Sequence, residues 1–89
     1  MSAVLARPSG TTVQADTTLD ATGTLCPVPI IWTAARMRQL PVGSVLEVLA
    51  TDEAILDDLP AWCRATGHEF LGFETEPPVY RGYTRRSHA

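Results

Sequence analysis

The sequence predicts a two-layer α/β sandwich: a four-stranded mixed sheet with two helices on one face, in the order β-α-β-α-β-β. Three observations predict it. Short aliphatic and β-branched runs alternate with runs of helical periodicity. Turn signals, most of them glycine or proline, separate the runs. Two helices and about four strands in roughly 70 ordered residues can bury their apolar faces only if both helices pack on one side of the sheet.

Residues 1–17, rich in Ser, Thr, Ala and Gly without periodicity, read as a flexible leader. The domain is therefore expected over residues 18–86, with residues 87–89 as a tail. A short first strand is expected from Thr18 to Ala21, after which Gly23 turns the chain into Cys26-Pro27-Val28-Pro29. The first helix runs from Pro27 to about Leu40 and stops at Pro41-Val42-Gly43. Ile30, Ala34 and Met37 form its core stripe, with Thr33 beside them. Ser44 to Thr51 reads as a central strand with Leu46, Val48 and Ala50 on one face. Thr51-Asp52 offers a cap for a second helical region from Glu53 to Thr66, closed by Gly67 in the left-handed conformation. Pro60 predicts a kink or a restart within that region, and an aspartate before it can cap the restart. Cys63, beside Leu59 and Trp62, reads as core. His68 to Thr75 and Val79 to Thr84 make an antiparallel hairpin across Glu76-Pro77-Pro78.

Composition narrows the function. The 89 residues carry a net charge of −3, and all seven basic residues are arginine. A duplex or tRNA binder is usually basic, because phosphate neutralisation supplies most of its affinity. Arg81, Arg85 and Arg86 make a local basic cluster that reads as solvated, so direct nucleic-acid binding is not expected. No run approaches the roughly 20 apolar residues needed to span a bilayer, and Met1 to Thr18 lacks the apolar core of a signal peptide. A cytoplasmic setting follows, in which Cys26 and Cys63 are expected as free thiols rather than a disulfide.

Cys26 is the residue best placed for chemistry. Pro27 suits the first helical position, because its φ fits the helix and its missing N–H would have had no partner there. Cys26 then falls at the N-cap, where free backbone N–H groups and the positive end of the helix dipole favour thiolate over thiol. The competing reading is a small buried apolar side chain or a structural cap. Val28 and Trp32, four residues apart, are surface neighbours near the cysteine, with Arg36 and Gln39 pointing broadly the same way. An exposed Trp there suggests a docking patch for another protein; the alternative is that the leader or a second copy of the chain covers it.

Other chemistries lack their residues. His68 at a strand start and His88 in the tail read as surface histidines, which leaves no general base for acyl transfer. Cys26 and Cys63 lie far apart and no Cys-x-x-Cys or His-x-x-x-His pair accompanies them, so no metal site is expected. Asp52, Glu53, Asp57 and Asp58 complement the second helix dipole. The glycines are dispersed, so no nucleotide and no other cofactor is implied. One sulfur on a compact scaffold describes a carrier better than a complete enzyme.

Leu19-Asp20, Gly23-x-x-Cys26-Pro27-x-Pro29, Pro41-x-Gly43, Ala50-x-Asp52 and Asp58-Leu59-Pro60-Ala61-Trp62-Cys63 closing at Gly67-His68-Glu69 together resemble the TusA/SirA sulfur-carrier family. The similarity covers about Thr18 to Arg86. The resemblance implies a sulfurtransferase acting with partner proteins. Cys26 would take sulfane sulfur from a cysteine desulfurase or rhodanese-like donor and hold it as a persulfide. It would then pass the sulfur to an acceptor protein of tRNA thiolation, sulfur oxidation or molybdenum-cofactor pathways. Arg38 and Asp52 lie where relatives meet their partners. Many relatives carry an acidic residue between the prolines and a basic one before the cysteine, where this chain has Val28 and Leu25. The alternatives from other classes are an interaction module with Cys26 as a mere helix cap, and a redox switch using both cysteines.

Overall fold

The computed structural model describes the backbone of Val4–Ala6 and of every residue from Thr12 onward, with side chains from Val13. Its elements are β1 (Val4–Ala6), β2 (Thr12–Gln14), β3 (Thr17–Asp20), α1 (Val28–Met37), β4 (Val45–Ala50), α2 (Ile55–Thr66), β5 (Glu69–Glu76) and β6 (Val79–Arg85). The main sheet has the order β3-β4-β6-β5, and β1 pairs only with β2. β3 runs parallel to β4 and the other pairs are antiparallel, which makes the sheet mixed as the sequence predicts.

β4 sits inside the sheet, with Val45, Leu46, Val48 and Ala50 buried and Glu47 and Leu49 half-buried. Leu46, Val48 and Ala50 face the helices and join Leu19, Met37, Ile55 and Leu59 in one apolar core. That is the stripe predicted from alternation. Val45, on the opposite face, packs with Tyr83 and Val13 in a second, smaller cluster. Both helices thus cover one side of the sheet, and α1 buries Pro29, Thr33 and Met37 there. Thr33 is an admissible core residue because its hydroxyl donates to the Pro29 carbonyl at 2.7 Å.

Four expectations at the edges of elements need correction. First, ordered structure begins before Thr18. Val13 is 9% exposed, and Asp16 ties β3 to β4 by donating its N–H to the Val45 carbonyl and accepting the Val45 N–H, at 2.9 and 2.8 Å. An apolar residue beside an uncovered sheet face has a place to be buried without any local periodicity. Within the expected leader β1 also pairs antiparallel with β2, Val4 opposite Gln14 and Ala6 opposite Thr12; residues 1–3 and 7–11 lie outside the described residues. Second, of the kink or restart expected at Pro60 the restart does not occur: α2 is one helix that includes the proline. Leu59 and Cys63, on either side of the proline, are both buried in the interior, and their packing outweighs the one backbone bond lost.

Third, α1 starts one residue later than expected, with Pro27 as N-cap. Fourth, the tail is docked. The Ser87 N–H donates to His68 Nδ1 at 3.1 Å and the Ser87 hydroxyl accepts the Glu69 N–H at 3.0 Å. The His88 ring stacks on His68 at 4.4 Å, a contact sequence spacing gives no hint of. The predicted left-handed cap at Gly67 is present with φ 82, its N–H donating to the Cys63 carbonyl at 2.9 Å.

Arg86 closes the far end of α1. One guanidinium nitrogen donates to the Met37, Arg38 and Leu40 carbonyls at 3.0, 3.1 and 2.6 Å. Met37 and Arg38 end α1, where carbonyls lack intrahelical partners, and Leu40 follows in the turn beyond it. Its neighbours are engaged as well, Arg85 with Glu69 and Arg81 with Glu76 and Glu47. Arg86→Ala is expected to lower unfolding stability by about 1.5–3 kcal/mol, the range for hydrogen bonds from a charged donor. Urea denaturation reads this directly, and an unchanged midpoint would show that water replaces the guanidinium without loss.

Candidate functional site

Two connections built from proline, glycine and aspartate bring the site together. The first leaves β3 and enters α1 through Cys26 and Pro27. The second leaves β4 and enters α2 through Asp52 and Ala54. Because β3 and β4 are parallel neighbours, both connections emerge at the same end of the sheet, where ligand and reaction sites of such crossovers gather. Asp52 joins them. One carboxylate oxygen accepts the Ala54 N–H at 3.0 Å, and the other accepts the Cys26 N–H at 2.9 Å. These two donors hold the Asp52 carboxyl below its ordinary value.

The Cys26 sulfur is exposed, but it does not face the amides of α1. Pro27 and Pro29 have no N–H to offer. Val28 donates to the Leu25 carbonyl at 2.9 Å, and Ile30 and Ile31 donate to the Pro27 carbonyl at 3.0 and 3.1 Å. The helix end therefore has no N–H left for sulfur, and the predicted stabilisation of a thiolate by that end does not occur. Cys26 Sγ instead donates to Asp58 Oδ2 at 3.1 Å. This hydrogen bond, then desolvation and the charges of Asp58 and Asp52, raise the Cys26 thiol above its ordinary value. In the protein alone the sulfur is a neutral thiol.

Cys26 lies at the edge of a shallow recess whose walls are Pro29, Ile30, Ala54 and Ile55, with Asp52 and Asp58 as its charged members. Leu25, Ile31 and Leu56 are large apolar side chains left exposed nearby in the chain. Of the predicted site residues, the structure unites Cys26, Pro29 and Asp52. It sets Trp32 and Arg38 apart. Trp32 is 43% exposed and lines, with Arg36, Gln39 and the strand Thr18–Asp20, an open groove of about 610 Å³ that shares no residue with the recess. Arg38 is the C-cap of α1, about 16 Å along the axis from the cysteine end. Val28 is half-buried.

Asp58 is the residue sequence reasoning placed incorrectly, as one of several acids balancing a helix dipole. A signal was available. Ile55 and Leu59 define the buried stripe of α2, and Asp58, three residues after Ile55, borders that stripe rather than lying opposite it. Among the described residues no group of three or more His, Cys, Asp or Glu is placed to hold a metal ion. No helix among them is long and apolar enough to cross a membrane.

Cys63 is a free thiol, 1% exposed, as expected for core. Burial pushes it from 9.0 up to about 11. Since the folded value lies above the unfolded one, its contribution is whole below about pH 9 and is lost as pH rises through about 11. Thermal melts across that window are expected to show the wild type losing on the order of 2 kcal/mol more than Cys63→Ala. Parallel curves for the two proteins would contradict the burial assignment.

The fold and this site define a small α/β domain that presents a single accessible thiol at the meeting point of two crossovers. The chain matches the family described as "Sulfurtransferase TusA" over residues 17–86, and it belongs to that family. It is 42% identical over 71 residues to the sulfur carrier protein TusA of Pseudomonas entomophila, covering 80% of this chain and 89% of that one. To the putative sulfur carrier protein YrkI of Bacillus subtilis it is 44% identical over 74 residues, covering 83% and 99%. To the putative sulfur carrier protein YrkF of the same organism it is 46% identical over 74 residues, but it spans only 40% of that protein. The crystal structure of a SirA-like protein from Desulfitobacterium hafniense shares the fold, with a TM-score of 0.70 at 23% identity over 81% of this chain and 99% of that one.

Proposed function

We propose that this protein is a cytoplasmic sulfur carrier in which Cys26 accepts sulfane sulfur as a persulfide and relays it to an acceptor protein. The observation that carries the reading is the exposed Cys26 thiol at the tip of α1, within a chain of the TusA family. The chemistry balances without an oxidant or a bound cofactor. The Cys26 sulfur attacks the outer sulfur of the donor's persulfide, the donor's S–S bond breaks, and the donor leaves as a thiol that has gained the proton Cys26 gives up. The donor in this reading is a protein that carries sulfane sulfur as a persulfide, a cysteine desulfurase or rhodanese-like protein. The acceptor lies in tRNA thiolation, sulfur oxidation or molybdenum-cofactor assembly.

Because Asp58 holds the free thiol neutral, attack requires the proton to leave within the encounter with the donor. A carrier with this property resists random oxidation between encounters, since the thiolate is the reactive form. The reading in which Cys26 is only a helix cap has little to support it. Pro27 is the N-cap of α1, and it makes no side-chain cap bond. The test is intact-mass measurement after incubation with a cysteine desulfurase and cysteine. One added sulfur atom, removed by a reducing thiol, is the expected result; no gain with a range of desulfurases and rhodaneses would defeat the proposal.

A further inference from the structure

We propose that Asp58 distinguishes the empty carrier from the loaded one by setting where the Cys26 sulfur points. The inference rests on the persulfide reading above. In the empty protein, Sγ has one hydrogen, and Asp58 Oδ2 lies 3.1 Å away to accept it. The sulfur is thereby drawn towards α2. Once loaded, Sγ is bonded to Cβ and to the added sulfur, and it has no hydrogen to donate. The outer sulfur is more acidic than a thiol and carries negative charge near neutral pH. Asp58 then changes from hydrogen-bond acceptor to like charge, and Asp52, fixed by the Cys26 N–H at 2.9 Å, is a second one.

Among the described residues, no cation on the adjoining elements offsets them. The remaining walls of the recess are Pro29, Ile30, Ala54 and Ile55, none of them charged. The first turn of α1 has no acidic or basic residue, and the charged residues leading into and opening α2 are Asp52, Glu53, Asp57 and Asp58. The cations of these helices, Arg36 and Arg64, sit in their last turns at the other end. A persulfide anion is therefore better placed with its outer sulfur turned to water, away from α2. That is also the position from which an acceptor could take it. One carboxylate retracts the spent sulfur and extends the charged one, with no movement of the backbone.

Two measurements test this. The first is the rate of Cys26 alkylation by iodoacetamide as a function of pH, on the empty protein. Asp58→Asn is expected to shift the profile to lower pH and to speed reaction at pH 7 by about threefold or more. Asp57→Asn, which removes the same charge from the same turn without touching the sulfur, is expected to leave it almost unchanged. Asp58→Glu, which restores the charge, is expected to return the profile most of the way. The second is the Cys26 side-chain rotamer, read from Hα–Hβ couplings before and after loading with inorganic polysulfide. The wild type is expected to change rotamer on loading and Asp58→Asn to change little. Superimposable alkylation profiles for wild type and Asp58→Asn, or the same rotamer in empty and loaded wild type, would overturn the proposal. Loading with polysulfide needs no protein donor, so a failure of the carrier reading with desulfurases is seen separately from a failure here.

Discussion

Cys26→Ala is expected to lose all capacity to gain sulfane sulfur, whereas Cys63→Ala keeps it. Both thiols are held above their ordinary values, so protonation alone does not separate them; access does. Cys26 is exposed, and its proton is held chiefly by the hydrogen bond to Asp58 at the protein surface. Cys63 is 1% exposed on the core side of α2, and a thiol pushed up to about 11 is ionised in about one molecule in ten thousand at pH 7. A donor persulfide could meet it only after α2 leaves the sheet. The cost of Cys63→Ala should appear in stability, at about 1–2 kcal/mol for the small cavity. Intact-mass spectra of wild type and both variants, after incubation with desulfurase and cysteine, make the comparison. A mass gain surviving in Cys26→Ala and vanishing in Cys63→Ala would move the function to the wrong thiol and end the present reading.

The contrast between the two cysteines also shows what a sequence can carry. Cys63 was legible because its surroundings are periodic: Leu59 and Cys63 repeat at a helical interval, and Gly67 ends the helix with the φ only glycine takes easily. Leu46, Val48 and Ala50 were legible by the same logic at period two. Cys26 was legible as a site but not as a geometry. Its flanking prolines announce a helix start, yet they do not say which residue is the cap, and a shift of one residue moves the sulfur from the amides to Asp58. That contact joins residues 26 and 58 through a parallel strand crossover, and no local pattern encodes it. The docked tail was hidden for a related reason. His68, His88 and Ser87 meet because β6 returns beside β5, so their pairing exists only once the sheet has formed.

Gly82→Val is expected to be the most damaging substitution away from the cysteine, and it links the core to the chemistry. Gly82 faces Val48 across one strand boundary and Phe73 across the other, in the strand that lies inside the sheet. A Cβ built there would overlap Leu59 Cδ2 and stand 3.0 Å from Phe73 Cε1. The missing side chain is what allows α2 to lie close over β6. Leu59 is fully buried, so the helix must rise or Leu59 must leave its rotamer. Overpacking of this kind costs about 1–3 kcal/mol, and the higher strand preference of Val returns at most about 1 kcal/mol. Asp58 precedes Leu59 on the same helical turn, so any rise of α2 also lengthens its 3.1 Å bond to the Cys26 sulfur. Gly82→Val is thus expected to lower the urea midpoint and, in the folded protein, to make Cys26 alkylate faster near neutral pH. A variant that is destabilised but alkylates at the wild-type rate would mean that Leu59 absorbs the clash while α2 stays in place.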